Sequence, residues 1–119
     1  MKVKVLLLLF AFGMAQTVSA QQKKPVTVKV TTPGMQCDDC KIRVEDYLKF
    51  EDGIAKVVAY PKSRYVNVTY FTDRTNVENI KTAIANAGYD ADDVKANPDS
   101  YKMLPKICKR PEDGGHKKN

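Results

Sequence analysis

The sequence predicts an α+β fold in the order strand, helix, strand, strand, helix, strand, and three observations carry that prediction. Val26, Val28 and Val30 alternate with Thr27, Lys29 and Thr31, the two-residue period of a half-buried strand. Apolar residues recur at helical spacing over 38–49 (Cys40, Val44, Tyr47, Leu48) and again over 77–87 (Val77, Ile80, Ile84, Ala87). Between these stretches lie two apolar runs, 54–60 and 65–71, joined by Pro61-Lys62-Ser63-Arg64. That link is short enough to make them an antiparallel hairpin.

The punctuation agrees. Thr32-Pro33-Gly34 breaks the first strand. Glu51-Asp52-Gly53 ends the first helix, with Gly53 as the left-handed residue after its last turn. In the third strand Val66, Val68 and Tyr70 share one face, and Asn67 and Thr69 take the other. Thr75-Asn76-Val77-Glu78 reads as a capping box, with the Thr75 hydroxyl at the cap and a carboxylate three residues on. Gly88 closes the second helix. Residues 89–95 are expected to form a fourth strand, kept short or at an edge by Asp92 and Asp93. The expected product is a ferredoxin-like βαββαβ sandwich: a four-stranded antiparallel sheet with two helices on one face.

Three segments divide the 119 residues. Residues 1–20 have the form of a cleaved secretory signal peptide, with Lys2 and Lys4 ahead of a short apolar core and Val18-Ser19-Ala20 before the cut. The apolar run is short for a membrane span, which takes about 20 residues. Residues 21–95 form one domain, and 96–119 are a C-terminal extension. In the extension Asn97-Pro98 starts a short helix, and the glycine- and lysine-rich end from Pro111 is expected to be disordered. Loss of Lys2 and Lys4 lowers the formal charge from +6 to +4. That modest excess, without an aromatic-interleaved basic patch, points away from nucleic acid.

Export places Cys37, Cys40 and Cys108 where disulfides form, yet an odd number cannot all pair within one chain. At least one thiol is therefore free, metal-bound or paired between chains, so the mature protein is expected as a monomer or as a metal- or disulfide-linked dimer. Cys37-Asp38-Asp39-Cys40 lies at a strand-to-helix turn, where unpaired N–H groups and the helix dipole favour thiolate. Two close thiolates with one open side suit a soft ion such as Cu(I) or Hg(II) and permit its transfer to another thiol. A closed structural zinc site wants four ligands. The chain reaches four only if His116 joins the three cysteines, and a lone histidine beside glycine is more often solvated. Thiol–disulfide exchange is the competing chemistry, but Asp38 and Asp39 disfavour thiolate beside them. No nucleophile–base pair or phosphate loop is evident, so no enzyme is expected.

Gly34-Met35-Gln36-Cys37-Asp38-Asp39-Cys40, with Gly53-Ile54 opening the second strand and Ala87-Gly88-Tyr89 after the second helix, resembles the heavy-metal-associated domain family over about residues 26–95. That family includes exported mercury-binding proteins and soluble copper chaperones. The resemblance implies metal ligation by Cys37 and Cys40, with Met35 packed under the loop and Tyr89 shaping the pocket. It also implies transfer to a membrane metal transporter or metal-pumping ATPase, and a periplasmic location in a Gram-negative source.

Two features depart from the family. Asp38-Asp39 is more acidic than usual, and harder carboxylate ligands would admit Zn(II) or Cd(II). Alternatively, both simply complement the helix N-terminus. Cys108 is a candidate third ligand, which would turn a carrier into a sequestering protein. It is equally a candidate for a dimer disulfide or a free thiol. Lys41 and Arg43 are placed to offset the charge of a two-thiolate site or to solvate the helix.

Overall fold

The computed structural model describes residues 24–115. The signal segment 1–20 and His116 lie outside the described residues. Strand β1 (Val26–Thr31) leads to helix α1 (Asp38–Leu48), the hairpin β2 (Ile54–Tyr60) and β3 (Tyr65–Tyr70), helix α2 (Val77–Asn86) and a short helix α3 (Pro98–Lys102). The sheet is antiparallel in the order β1-β3-β2, with Val30 opposite Val66 and Val57 opposite Val68.

Period-two alternation sorts the two faces. Val30, Ala59, Val66, Val68 and Tyr70 form the inner face and pack with Val44, Leu48, Ile80 and Ile84 of the helices. On the outer face the Thr27 and Thr69 hydroxyls bond at 2.8 Å, and the Lys29 ammonium lies 4.3 Å from the centre of the Tyr65 ring. In α1 the buried positions are Cys40, Val44 and Leu48. Tyr47, expected on the same face, is 41% exposed, because it lies on the flank of a narrow stripe of fourth-residue spacing.

Helix α2 is capped one residue later than the sequence predicts. Asn76 is extended at φ −145°, and its side-chain oxygen accepts the Asn79 N–H at 2.9 Å. Thr75 instead packs at Gly53, whose φ of 82° belongs to the left-handed region; a Cβ there would lie 2.9 Å from Thr75 Cγ2. Ala87 caps the end of the helix, and Gly88 after it is also left-handed at φ 105°.

The expected fourth strand does not form, and the sheet of the described residues has three strands, not four. Ala91 and Val94 exchange backbone hydrogen bonds at 2.8 and 2.9 Å, so the chain reverses within two residues. Asp92 makes that reversal with a φ of 50°, which aspartate tolerates better than most residues. Its N–H donates to Thr31 O at 2.9 Å, and its Oδ1 accepts the Thr31 N–H at 2.7 Å. A side chain thus takes the donor that a neighbouring strand would have used. The chain then turns back across the end of the domain. Pro111–Asp113 forms a turn of 3₁₀ helix where composition predicts disorder, with Gly115 N–H bonded to Arg110 O at 2.9 Å.

Asn76→Ala is expected to lower the unfolding free energy by about 1 kcal/mol through loss of the cap, and Thr75→Ala to cost less. Urea denaturation of both variants checks this; the reverse order would return the cap to Thr75.

Candidate metal centre

The loop between β1 and α1 is tied at both ends. Thr32 N–H donates to Arg64 O at 2.9 Å, and Met35 N–H donates to Thr32 O at 3.1 Å. Met35 is fully buried in the core beneath this turn. Cys37 occupies the N-cap of α1 in extended conformation, but its side chain caps no backbone N–H. Its sulfur is therefore left for other partners. Cys40, on the inward face of the first turn, is fully buried, whereas Cys37 is half-buried. One helical turn brings the two Sγ atoms to 3.0 Å. That is longer than the ~2.05 Å of a disulfide, and all three cysteines carry free thiols.

Cys108 joins them from the extension. It ends the 3₁₀ turn Lys106–Cys108, is 2% exposed, and its Sγ lies with those of Cys37 and Cys40 in a group whose members are all within 4.8 Å of one another. Asp38 and Asp39 are exposed in the first turn of α1 and lie outside this group. Lys41 is paired with Glu45 and donates to Ala59 O at 3.0 Å, so its charge is turned toward β2. Arg43 is exposed.

Burial sets the acidity of the sulfurs. Desolvation pushes the Cys37 thiol up, and its contact with Cys40 adds to that, against a lowering by the Cys40 and Asp39 backbone N–H groups. Desolvation also pushes Cys40 up, followed by its contact with Cys108. The helix N-terminus alone favours thiolate. Here burial outweighs it, and both thiols are raised above the usual range.

Tyr89 lies against the loop, with its ring edge 3.9 Å from where a Gly34 Cβ would be. It is 1% exposed, and its hydroxyl has no hydrogen-bond partner. Burial, then the Cys108 and Cys40 thiols beside it, push its pKa far above the usual phenol range. These thiols are near enough to perturb the hydroxyl without satisfying it.

The cysteine pair was readable from spacing. The residues that hold Cys108 in place, Asn97, Tyr101 and Leu104, carried one local signal, the Asn97-Pro98 cap. Its side chain does accept the Asp99 and Ser100 N–H groups.

Converging thiols at the end of a three-stranded α+β sandwich are a donor set that could hold a metal ion. The family model described as heavy-metal-associated domain matches residues 29–90, and the chain belongs to that family. The mercuric transport protein periplasmic component of Pseudomonas fluorescens is 33% identical over 82 residues, which are 69% of this chain and 90% of that protein. The crystal structure of oxidized MerP from Ralstonia metallidurans CH34 superposes with a TM-score of 0.54 at 33% identity, over 56% of this chain and 93% of that one. The CopZ metallochaperone superposes with a TM-score of 0.53 at 30% identity, over 56% of this chain and 98% of that one. Cys108 lies beyond the residues that the family model matches.

Tyr89→Phe removes a buried hydroxyl without a partner. The reduced, metal-free variant is expected to be as stable as the parent or about 1 kcal/mol more stable. Denaturant unfolding checks this, and a loss of that size would mean that the hydroxyl is satisfied in the parent.

Proposed function

We propose that this protein is an exported carrier that holds one soft heavy-metal ion, Cu(I) or Hg(II), as a thiolate complex on Cys37 and Cys40 and passes it to a thiol partner. The observation that carries this reading is the pair of reduced sulfurs 3.0 Å apart at the start of α1, in a chain of the heavy-metal-associated family. Soft thiolates select soft ions. The exposure of Asp38 and Asp39 outside the sulfur group favours Cu(I) and Hg(II) over Zn(II) and Cd(II).

The unequal burial of the two cysteines supports transfer. An incoming thiol reaches the ion from the side of half-buried Cys37, so exchange begins there and ends at Cys40. A relative named for the periplasmic component of mercuric transport and a structural neighbour named a metallochaperone support carriage as the role. The recipient in this reading is a membrane metal transporter or metal-pumping ATPase, in line with a copper-binding domain of a P-type ATPase that shares the fold at 27% identity. The same relative's name supports residues 1–20 as a cleaved signal and a periplasmic location in a Gram-negative source. Among the described residues no helix is long and apolar enough to cross a membrane. Domain limits of 21–95 for the carrier and 96–119 for the extension complete the reading. Dithiol redox chemistry fits less well, since the attacking species is a thiolate and burial opposes it at both cysteines.

Competition titration of the reduced protein with Cu(I), Hg(II) and Zn(II) tests the proposal. One Cu(I) or Hg(II) per chain is expected, with Zn(II) bound more weakly. The double variant Cys37→Ser, Cys40→Ser is expected to lose at least ~100-fold in affinity, about 2.7 kcal/mol. No binding tighter than micromolar for any of the three ions would remove the carrier reading.

A further inference from the structure

We propose that the C-terminal extension is a strap that brings Cys108 Sγ to the Cys37–Cys40 pair as a third thiolate, making a trigonal three-sulfur site for one thiophilic ion. The inference rests on Cys37 and Cys40 being metal ligands, and it changes the coordination number and the rate of release.

Distances favour three sulfurs. With metal–sulfur bonds of ~2.3 Å, the zinc–thiolate value, a linear complex needs sulfurs ~4.6 Å apart and a trigonal one ~4.0 Å. Cys37 and Cys40 start at 3.0 Å, so the trigonal arrangement asks for the smaller opening. The Cys108 sulfur already lies within 4.8 Å of both.

The position of Cys108 is fixed by the fold. Asn97 N–H donates to Ala85 O at 2.9 Å, and Ala96 N–H donates to Asp90 Oδ1 at 2.8 Å, which anchors the strap where it leaves the domain. Leu104 then seats on Gly88, where a Cβ would come within 3.0 Å of Leu104 Cγ. Beyond the cysteine, Arg110 N–H donates to the Tyr101 hydroxyl at 2.9 Å, and that hydroxyl donates to Asp113. The Arg110 guanidinium stacks 4.8 Å from the Tyr101 ring centre. Cys108 is thus held from both sides.

A buried cysteine is often a small apolar filler. The Tyr89 hydroxyl argues for more. It is buried beside Cys40 and Cys108 with no acceptor. Deprotonated, metal-bound sulfur would accept from it, as a charge-assisted hydrogen bond. Loading a divalent ion breaks three S–H bonds and forms three metal–sulfur bonds. Three protons leave to solvent, no electrons change hands, and the metal–sulfur unit carries one negative charge.

X-ray absorption of the reduced protein loaded with one equivalent of Hg(II), with native mass spectrometry for stoichiometry, tests the proposal. Three Hg–S bonds at one ion per monomer are expected. Cys108→Ala is expected to show two and to yield the ion to a competing dithiol about ten-fold faster, equivalent to about 1.4 kcal/mol. Because the chain has only three cysteines, the parent count decides even if the variant fails to fold. Two sulfurs in the parent, three in the variant, or one ion shared between two chains overturns the proposal and leaves the carrier reading standing. No binding at all overturns both.

Discussion

The paired hydrogen bonds between Thr31 and Asp92 govern the path of the second half of the chain. A backbone group and a carboxylate together satisfy both polar groups of Thr31 on that side, at 2.9 and 2.7 Å. A fourth strand along β1 would have spent residues 89–95 in a ladder. Instead the chain reverses at Asp92, Asn97 starts α3 beside the end of α2, and the extension arrives at the metal loop. A left-handed aspartate is less favourable than an extended one, and the two bonds hold it there. This reversal sends the extension toward the β1–α1 loop and the start of α1, where Cys37 and Cys40 lie.

Most of the fold was legible because it rests on spacing. The alternation through Val28 and Val30 and the fourth-residue stripe through Cys40, Val44 and Leu48 report local geometry that the core then uses, while Val26 at the strand's start stays exposed. What escaped depended on competition between neighbours. Thr75 and Asn76 are both good caps, and only the backbone conformation at Asn76 decides between them. Residues 89–95 have strand-like composition, but nothing local says that the Asp92 carboxylate will replace a backbone partner. At the site, the Cys-x-x-Cys spacing placed two sulfurs on one helical turn. Bringing in the third depends on the path after Gly88 and on Leu104 seating on that distant glycine, a contact that local spacing does not report.

Two influences meet at the sulfurs and act in opposite directions. The first turn of α1 offers backbone N–H groups that stabilise negative charge, while desolvation penalises it at Cys37 and Cys40. Burial prevails until an ion supplies compensating positive charge. The Tyr89 hydroxyl beside Cys40 and Cys108 is buried without a hydrogen-bond partner. Neutralisation by Lys41 plays no part, since that ammonium is committed to Glu45 and to the carbonyl of Ala59.

Loss of the fourth strand also leaves a boundary. Among the described residues, no strand pairs with the side of β1 away from β3. An unpaired strand margin is a template for aggregation between copies, and proteins blunt it with proline, lysine and brevity. All three occur here: Pro25 precedes a strand of 6 residues, and Lys29 stands within it, its ammonium against the Tyr65 ring. Edge-to-edge growth would gather the lysines of two copies onto one small sheet face. The aspartate that diverts the chain toward the thiols thus leaves colloidal protection of the β1 margin to a proline, a lysine and the strand's own shortness.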